Sequence, residues 1–141
     1  MKGRIVLDSG TLGRVCHPRP HREVAVWLER LLSEGASVYI PEIADYEVRR
    51  ELIRAGLRKS TDRLDALKLA LNYLPINTDV MIEAARLWAE ARNRGTPTAD
   101  PKSLDADVIL AAQALQINAL VATDNVGHLG LFVEAMDWRL I

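Results

Sequence analysis

Two short runs constrain this chain more than anything else in it. Near the start stands Ile5-Val6-Leu7-Asp8, followed by Ser9-Gly10. Near the end stands Leu120-Val121-Ala122-Thr123-Asp124, followed by Asn125. Each run is apolar, partly β-branched, and stops at a carboxylate. Such a run suits a strand buried on both faces, and strands of that kind occur in parallel sheets covered by helices. The sequence between the two runs supplies the helices. Over residues 20–34, Val24, Trp27, Leu28, Leu31 and Leu32 recur at i, i+3, i+4, i+7 and i+8, with Pro20 in the first turn and Gly35 after the last. Residues 37–40 read as a second strand stopped by Pro41, and residues 41–55 as a helix closed by Gly56. A third helix is expected over 61–72 and a short edge strand over 73–76, where Pro75 removes a ladder donor. Residues 79–94 form a helix on a stripe of Met81, Ala84, Ala85, Trp88 and Ala89. Residues 96–103, with two prolines, read as a polar loop, 104–116 as a helix and 136–141 as a last strand. The first strand is expected to run into a polar loop at Ser9-Gly10. Alternating strands and helices make the fold class α/β, with a parallel sheet and helices on both faces.

Composition narrows the function classes. At 141 residues, 49% hydrophobic and 26% charged, the chain suits one domain spanning 1–141 that needs no disulfide. Eighteen Lys and Arg against nineteen Asp and Glu leave a formal charge of −1. Nothing global draws nucleic acid to it, so such binding has to rest on a local patch or a metal. The lone Cys16 excludes an internal disulfide and fits a reducing compartment. No apolar run is long enough for a signal peptide or a membrane span, so a cytoplasmic location is expected.

The acids come next. In a parallel sheet all C-terminal strand ends share one edge, and ligands bind outside that edge. Asp8 and Asp124 therefore share a rim. The plainer reading of either is a turn former beside Ser9-Gly10 or Asn125. At about 100° per residue, Asp107 adjoins the apolar stripe of Leu104, Val108, Ala111 and Leu115, whereas Asp105 falls on the opposite flank. Helix-dipole compensation covers Asp105 well and Asp107 less well, since a carboxylate among apolar neighbours is desolvated unless paired or metal-bound. Glu47 lies between Ile43 and the set Ala44, Val48, Leu52 and Ala55, and Glu51 lies nearer the centre of that stripe. Intrahelical pairs of Glu47 with Arg50 or Arg54, and of Glu51 with Arg54, are the alternative to a functional Glu47. Carboxylates converging on one edge repel and raise one another's pKa unless a cation neutralises them. Hard oxygen donors suit Mg2+ or Mn2+, and the Cys and clustered His expected for zinc are missing. A carboxylate-held Mg2+ can bind phosphate and activate water, so the pattern is that of a metal-dependent phosphoryl enzyme.

At these residues the chain resembles the PIN-domain family nearly end to end. The resemblance is carried by Ile5-Val6-Leu7-Asp8-Ser9, by the stretch from Ile40-Pro41-Glu42 through Glu47 to Leu52, by Asp107-Val108-Ile109-Leu110-Ala111-Ala112-Gln113-Ala114, and by Val121-Ala122-Thr123-Asp124-Asn125. It implies a three-layer α/β/α fold with a central, mainly parallel sheet and a metal-dependent ribonuclease site built from acids. By position, Asp8, Glu47, Asp107 and Asp124 correspond to the acids that hold one or two Mg2+ or Mn2+ ions and act on the RNA phosphate. Ser9 and Thr123 would support them by hydrogen bonds, and Asp105 competes with Asp107 for the same rim. Asp45 and Asp100 are read as surface and loop residues. Many single-domain members resemble VapC toxins, which pair with an antitoxin protein and form homodimers.

The densest basic stretch, Arg49, Arg50, Arg54, Arg58, Lys59 and Arg63, is either a solvated helix face or a set of RNA-phosphate contacts, with Arg50 and Arg54 foremost. Arg14, Arg19 and Arg22 could join it. His17, His21 and His128 are not spaced as metal ligands and read as loop residues, Trp27 and Trp88 as core, Trp138 as part of the last strand and Cys16 as inert. A haloacid-dehalogenase-like phosphatase needs a second Asp where Gly10 stands. A response-regulator receiver needs paired early acids and a late lysine, whereas this chain has a single Asp8 and Asp124-Asn125 where the lysine would stand. A non-catalytic scaffold binding RNA or protein remains the alternative from a different class.

Overall fold

Ile5, Val6 and Leu7 lie opposite Leu120, Val121 and Ala122 in a parallel ladder, so the two Asp-terminated runs are neighbouring strands. The computed structural model describes residues 3–19, 21–95 and 101–141, the side chains of 101–103 excepted. In chain order its elements are β1 (Arg4–Leu7), α1 (Ser9–Cys16), α2 (Arg22–Ser33), β2 (Ser37–Pro41), α3 (Glu42–Arg54), α4 (Arg58–Ala70), β3 (Asn72–Leu74), α5 (Thr78–Asn93), α6 (Pro101–Gln116), β4 (Leu120–Thr123), α7 (Val126–Leu129) and β5 (Ala135–Asp137), closed by a 3-10 turn at Trp138–Leu140.

The sheet order is β3-β2-β1-β4-β5 and every pairing is parallel. The chain walks outward from β1 to β3, returns across β1 to β4, and walks outward again. Right-handed crossovers then put the helices of the two walks on opposite faces, which makes three layers. The direction of winding reverses between β1 and β4, and the crevice beyond their C-terminal ends is where such sheets bind ligands. The centre of the sheet is dry: Val6, Leu7, Ile40, Val121 and Ala122 have no exposed surface. Burying a side chain of Val or Leu size contributes about 1.5–3 kcal/mol, so these short strands are held mainly by packing.

The structure corrects several expectations. The chain after Asp8 is a helix, not a loop: Asp8 caps α1 by accepting from the Thr11 N–H at 2.8 Å, and Thr11, Leu12, Val15 and Cys16 are buried beneath it. Ser9-Gly10 had turn chemistry, but a capping carboxylate followed by an apolar stripe is equally a helix start. On α5 the buried stripe is Val80, Ala84, Leu87 and Ala91, rotated from the expected one, which leaves Trp88 40% exposed under the Arg92 guanidinium. Glu51 is exposed and paired with Arg54, because α3 buries Ile43, Ala44, Asp45 and Val48 instead. Asp45, expected at the surface, is 5% exposed. The last strand stops at Asp137, and Trp138 turns inward to pack edge-on against Trp27 at 5.5 Å. Of the expected loop over 96–103, residues 96–100, Asp100 among them, lie outside the described residues, and 101–103 already belong to α6. Gly35 and Gly56 close α2 and α3 at φ of 85° and 68°, the left-handed conformation that favours glycine.

One buried polar side chain sets the position of α3. Gln113 on α6 has no exposed surface; its amide donates to the Leu74 carbonyl at 2.7 Å and accepts from the Ile43 N–H at 3.3 Å. It ties α6 to the end of β3 and to the first turn of α3, the two helices that carry Asp107 and Glu47.

Candidate active site

Asp8, at the end of the central strand β1, is 8% exposed, and each of its oxygens accepts a hydrogen bond. Its Oδ1 accepts from the Thr11 N–H, and its Oδ2 accepts from the Thr123 hydroxyl at 2.5 Å. The same Thr123 oxygen accepts from the Asn125 N–H at 2.8 Å, which orients the hydroxyl towards Asp8. The ladder explains the pairing, since Leu7 lies opposite Ala122 and the next residue on each strand is one of these two. Burial pushes the Asp8 carboxyl above the usual carboxylate range, against these hydrogen bonds, and Asp124 adds to the push.

Glu47 reaches the same rim from α3 and Asp107 from α6. Burial raises the pKa of Glu47; Arg50 opposes that, Asp107 and Asp8 add to it, and a hydrogen bond from Ser9 partly offsets it. Burial likewise raises Asp107, with His128 opposing and Asp8 adding. Three carboxylates from β1, α3 and α6 are thus close enough to act on one another, and each is held in part out of water. Among the described residues, the one ion pair made with this trio is Arg50 with Glu47, at 3.9 Å. Among those residues, no three Asp, Glu, His or Cys side chains as they stand converge enough to enclose a cation.

Asp124 sits at the end of β4, on the same rim, in a different electrostatic setting. Its Oδ2 accepts from Arg14 Nε at 2.9 Å, and its Oδ1 from Trp138 Nε1 at 2.9 Å and Arg139 Nη1 at 3.1 Å. Burial pushes its pKa up, but Arg14, Trp138 and Arg139 outweigh that and hold it below the usual range. Asp105 points away from the trio and lines a groove with Met81, Trp88 and Ile109 between α5 and α6. Of the two competing acids of α6, Asp107 is the one beside Asp8 and Glu47.

Of the basic stretch, Arg49 is taken by Asp45 and Asp65 at 2.9 Å each, Arg63 by the Val15 carbonyl at 2.9 Å, and Arg54 by Glu51 at 2.9 Å. Arg50 alone of the two foremost candidates adjoins the acids, with its guanidinium 5.1 Å over the Tyr46 ring. Sequence reasoning missed His128 beside Asp107, and it missed the Trp138 and Arg139 contacts to Asp124. His128 stands four residues after Asp124, a spacing that places it near the rim only once α7 is known to form. Trp138 and Arg139 come from a turn with no sequence signature.

Comparison with known proteins decides the family. A PIN-domain profile matches residues 5–128.

The chain belongs to the PIN-domain family.

Solved structures carry the same fold. VapBC2 from Rickettsia felis, bound to a DNA fragment from their promoter, is 15% identical at a TM-score of 0.77, over 94% of this chain and 97% of that one. FitAB bound to an IR36 DNA fragment is 26% identical at a TM-score of 0.73, over 96% and 95%. DNA-bound VapBC from Salmonella typhimurium is 21% identical at a TM-score of 0.69, over 98% and 99%. No curated protein matches this PIN domain significantly. Among the described residues no helix is long and apolar enough to cross a membrane.

Proposed function

We propose that this PIN-domain protein is a metal-dependent ribonuclease and the toxin of a toxin-antitoxin pair. The observation that carries the reading is the trio of Asp8, Glu47 and Asp107. It is drawn from three elements to the switch-point edge and left largely without a protein cation, though burial raises all three pKa values and neighbouring carboxylates add to the push. A fold does not gather repelling carboxylates at its ligand edge to stabilise itself; a divalent cation resolves the conflict. The donors are hard oxygens, which fit Mg2+ or Mn2+ in kind, and enclosing an ion requires these side chains to turn towards it. Bound there, the metal would supply Lewis acidity to a phosphate oxygen and a more acidic water. The chain's own parts have separate duties. Thr11 and Thr123 hold Asp8 in one orientation, Ser9 steadies Glu47, and Arg50 stands where a phosphate of the substrate would meet it.

VapBC and FitAB among the matched structures support a cognate antitoxin as a partner. Tyr46, Ile53, Leu57 and Leu69 on and after α3 and on α4 are exposed apolar side chains that a partner, antitoxin or second copy, would cover. Cytoplasmic RNA is the proposed substrate pool. One observation favours the scaffold reading, namely Asp124 already neutralised by Arg14 and Arg139.

The deciding experiment incubates single-stranded and structured RNA with the protein in Mg2+, Mn2+ or EDTA, beside Asp107→Asn, with Mn2+ binding followed by calorimetry. Cleavage that requires metal and disappears in the variant establishes the nuclease. Neither cleavage nor Mn2+ binding in the wild type establishes the scaffold.

A further inference from the structure

The face of α1 that looks away from the core is unusually bare. Gly10, Gly13, Arg14 and His17 follow the i, i+3, i+4, i+7 spacing and share that face. With His21 and Asp124 they line a cleft of about 410 Å³. A second cleft, of about 210 Å³, continues from it past Arg14 and His21 to Glu23, Val24, Trp138 and Arg139. Arg14 therefore stands where the two meet. Two glycines within an eight-residue helix weaken it, and packing does not account for them. A Cβ at Gly13 would meet nothing within 4 Å, and one at Gly10 only the Asp8 carboxylate, at 3.7 Å. Helix glycines without a packing reason fit a surface that another chain must approach closely.

Arg14 is held in an unusual way for an exposed arginine. Its Nε–H is bound by Asp124 Oδ2, while the other oxygen of Asp124 is fixed by the buried Trp138 indole and by Arg139. Arg139 is itself stacked 4.7 Å over the Trp138 ring and also paired with Asp137 at 3.2 Å and Glu23 at 3.9 Å, so its charge is largely spent. Arg14 is 42% exposed, and its two Nη groups have no partner among the described residues. The guanidinium is anchored at Nε and keeps both Nη groups for a ligand, in a residue that lines both clefts, and such a fork can engage a phosphodiester through two oxygens.

We propose that this glycine-faced cleft is the track of the RNA strand beside the acidic trio, with Arg14 as the contact to a neighbouring phosphate and Asp124 as the residue that positions Arg14. The proposal rests on the ribonuclease reading for its ligand. It assigns Asp124 to Arg14, and through Arg14 to substrate affinity, which the acid pattern in the sequence did not suggest. With a formal charge of −1 over the whole chain, affinity for RNA needs such a local cation.

The test measures binding of a fluorescent single-stranded RNA decamer by the Asp107→Asn protein in EDTA, where cleavage is off, across a salt series. Adding Arg14→Gln should weaken binding about tenfold and reduce the slope of log K against log salt by about 0.7, the value of one single-strand phosphate contact. Arg14→Lys should recover the salt slope but only part of the affinity. Gly13→Glu, which leaves Asp124 and Arg14 in place, should weaken binding at least as much by filling the cleft. Arg86→Gln on α5 should change nothing. In the otherwise wild-type protein, Arg14→Gln should raise KM with little change in kcat and leave Mn2+ affinity intact. Affinity and salt slope within twofold of the parent for both Arg14→Gln and Gly13→Glu overturn the track, even if Asp107→Asn has abolished metal-dependent cleavage. Weakened binding in both variants, with no cleavage by the wild type under any metal, sustains the track and removes the nuclease.

Discussion

Asp45 and Asp8 are buried to nearly the same degree, at 5% and 8% exposure, in opposite electrostatic settings. Asp45 accepts from Arg49 Nε and the Tyr73 hydroxyl at 2.9 Å each and lies 3.4 Å from Lys68, so each of its oxygens has a cation beside it. It pins α3 to α4 and β3, and Glu42 reinforces the same junction by accepting from the Ile76 N–H at 2.9 Å. Asp8 has neutral donors only, and its charged neighbours are acids. Depth of burial does not separate a carboxylate that ties elements together from a candidate metal ligand; the sign of the surrounding charge does. Removing Asp45 costs folding energy, whereas removing Asp107 relieves repulsion.

The sharpest break of this comparison is in activity. Asp107→Asn should lower RNA cleavage by at least about 100-fold, the scale of loss when a reacting group is misplaced, with an unchanged circular dichroism spectrum. Asp45→Ala should retain cleavage at low temperature in proportion to the folded fraction. A variant of Asp45 as inactive as Asp107→Asn while still folded would erase the distinction.

Metal addition comes next. Mn2+ at about 100 times its Kd should stabilise the wild type by about 2.7 kcal/mol and raise its Tm, with a much smaller rise for Asp107→Asn. Equal shifts in both proteins would place the ion elsewhere.

Asp45→Ala should destabilise by about 2 kcal/mol in urea unfolding. That is below the usual 3–5 for a buried pair, because Arg49 keeps Asp65 and part of its solvent. A change under about 0.5 kcal/mol would make the Asp45 network ornamental.

The pH dependence carries the smallest signal, and its sign differs between the sites. Asp8, Glu47 and Asp107 have raised pKa values in the folded protein, so the folded state holds their protons longer than the unfolded chain does. Their favourable contribution is complete below the ordinary carboxylate pKa of about 4, and is lost as pH rises through the raised values. In EDTA, the Tm of Asp107→Asn relative to the wild type should therefore climb as pH increases from about 4. Asp124 works the other way: its lowered pKa gives stability above the ordinary value that disappears as pH falls. A Tm difference for Asp107→Asn that shrinks with rising pH would contradict the repulsion within the trio.

Much of this was legible in the chain itself. The apolar runs 5–7 and 120–122, set among helical stretches, point to a parallel sheet covered on both faces, and parallel strands put Asp8 and Asp124 on one rim whatever their order. The helical phase of Asp107 relative to Val108 and Ala111 separates it from Asp105, since period and face are local properties. Other features depend on what each element packs against. The buried stripe of α5 is Val80, Ala84, Leu87 and Ala91 and not the one through Trp88, and a helix with apolar residues on two flanks does not say which flank is covered. Asp45, within Ile43-Ala44-Asp45-Tyr46, and Asp124, at the end of an apolar run, carry no sign in the sequence of the partners they meet. Tertiary structure alone brings Lys68 and Tyr73 to the first, and Arg14, Trp138 and Arg139 to the second. Local sequence sets conformation and periodicity through short-range sterics and hydrogen bonds. Which charge meets which is a long-range outcome of topology, and here it decides the electrostatic setting of each acid.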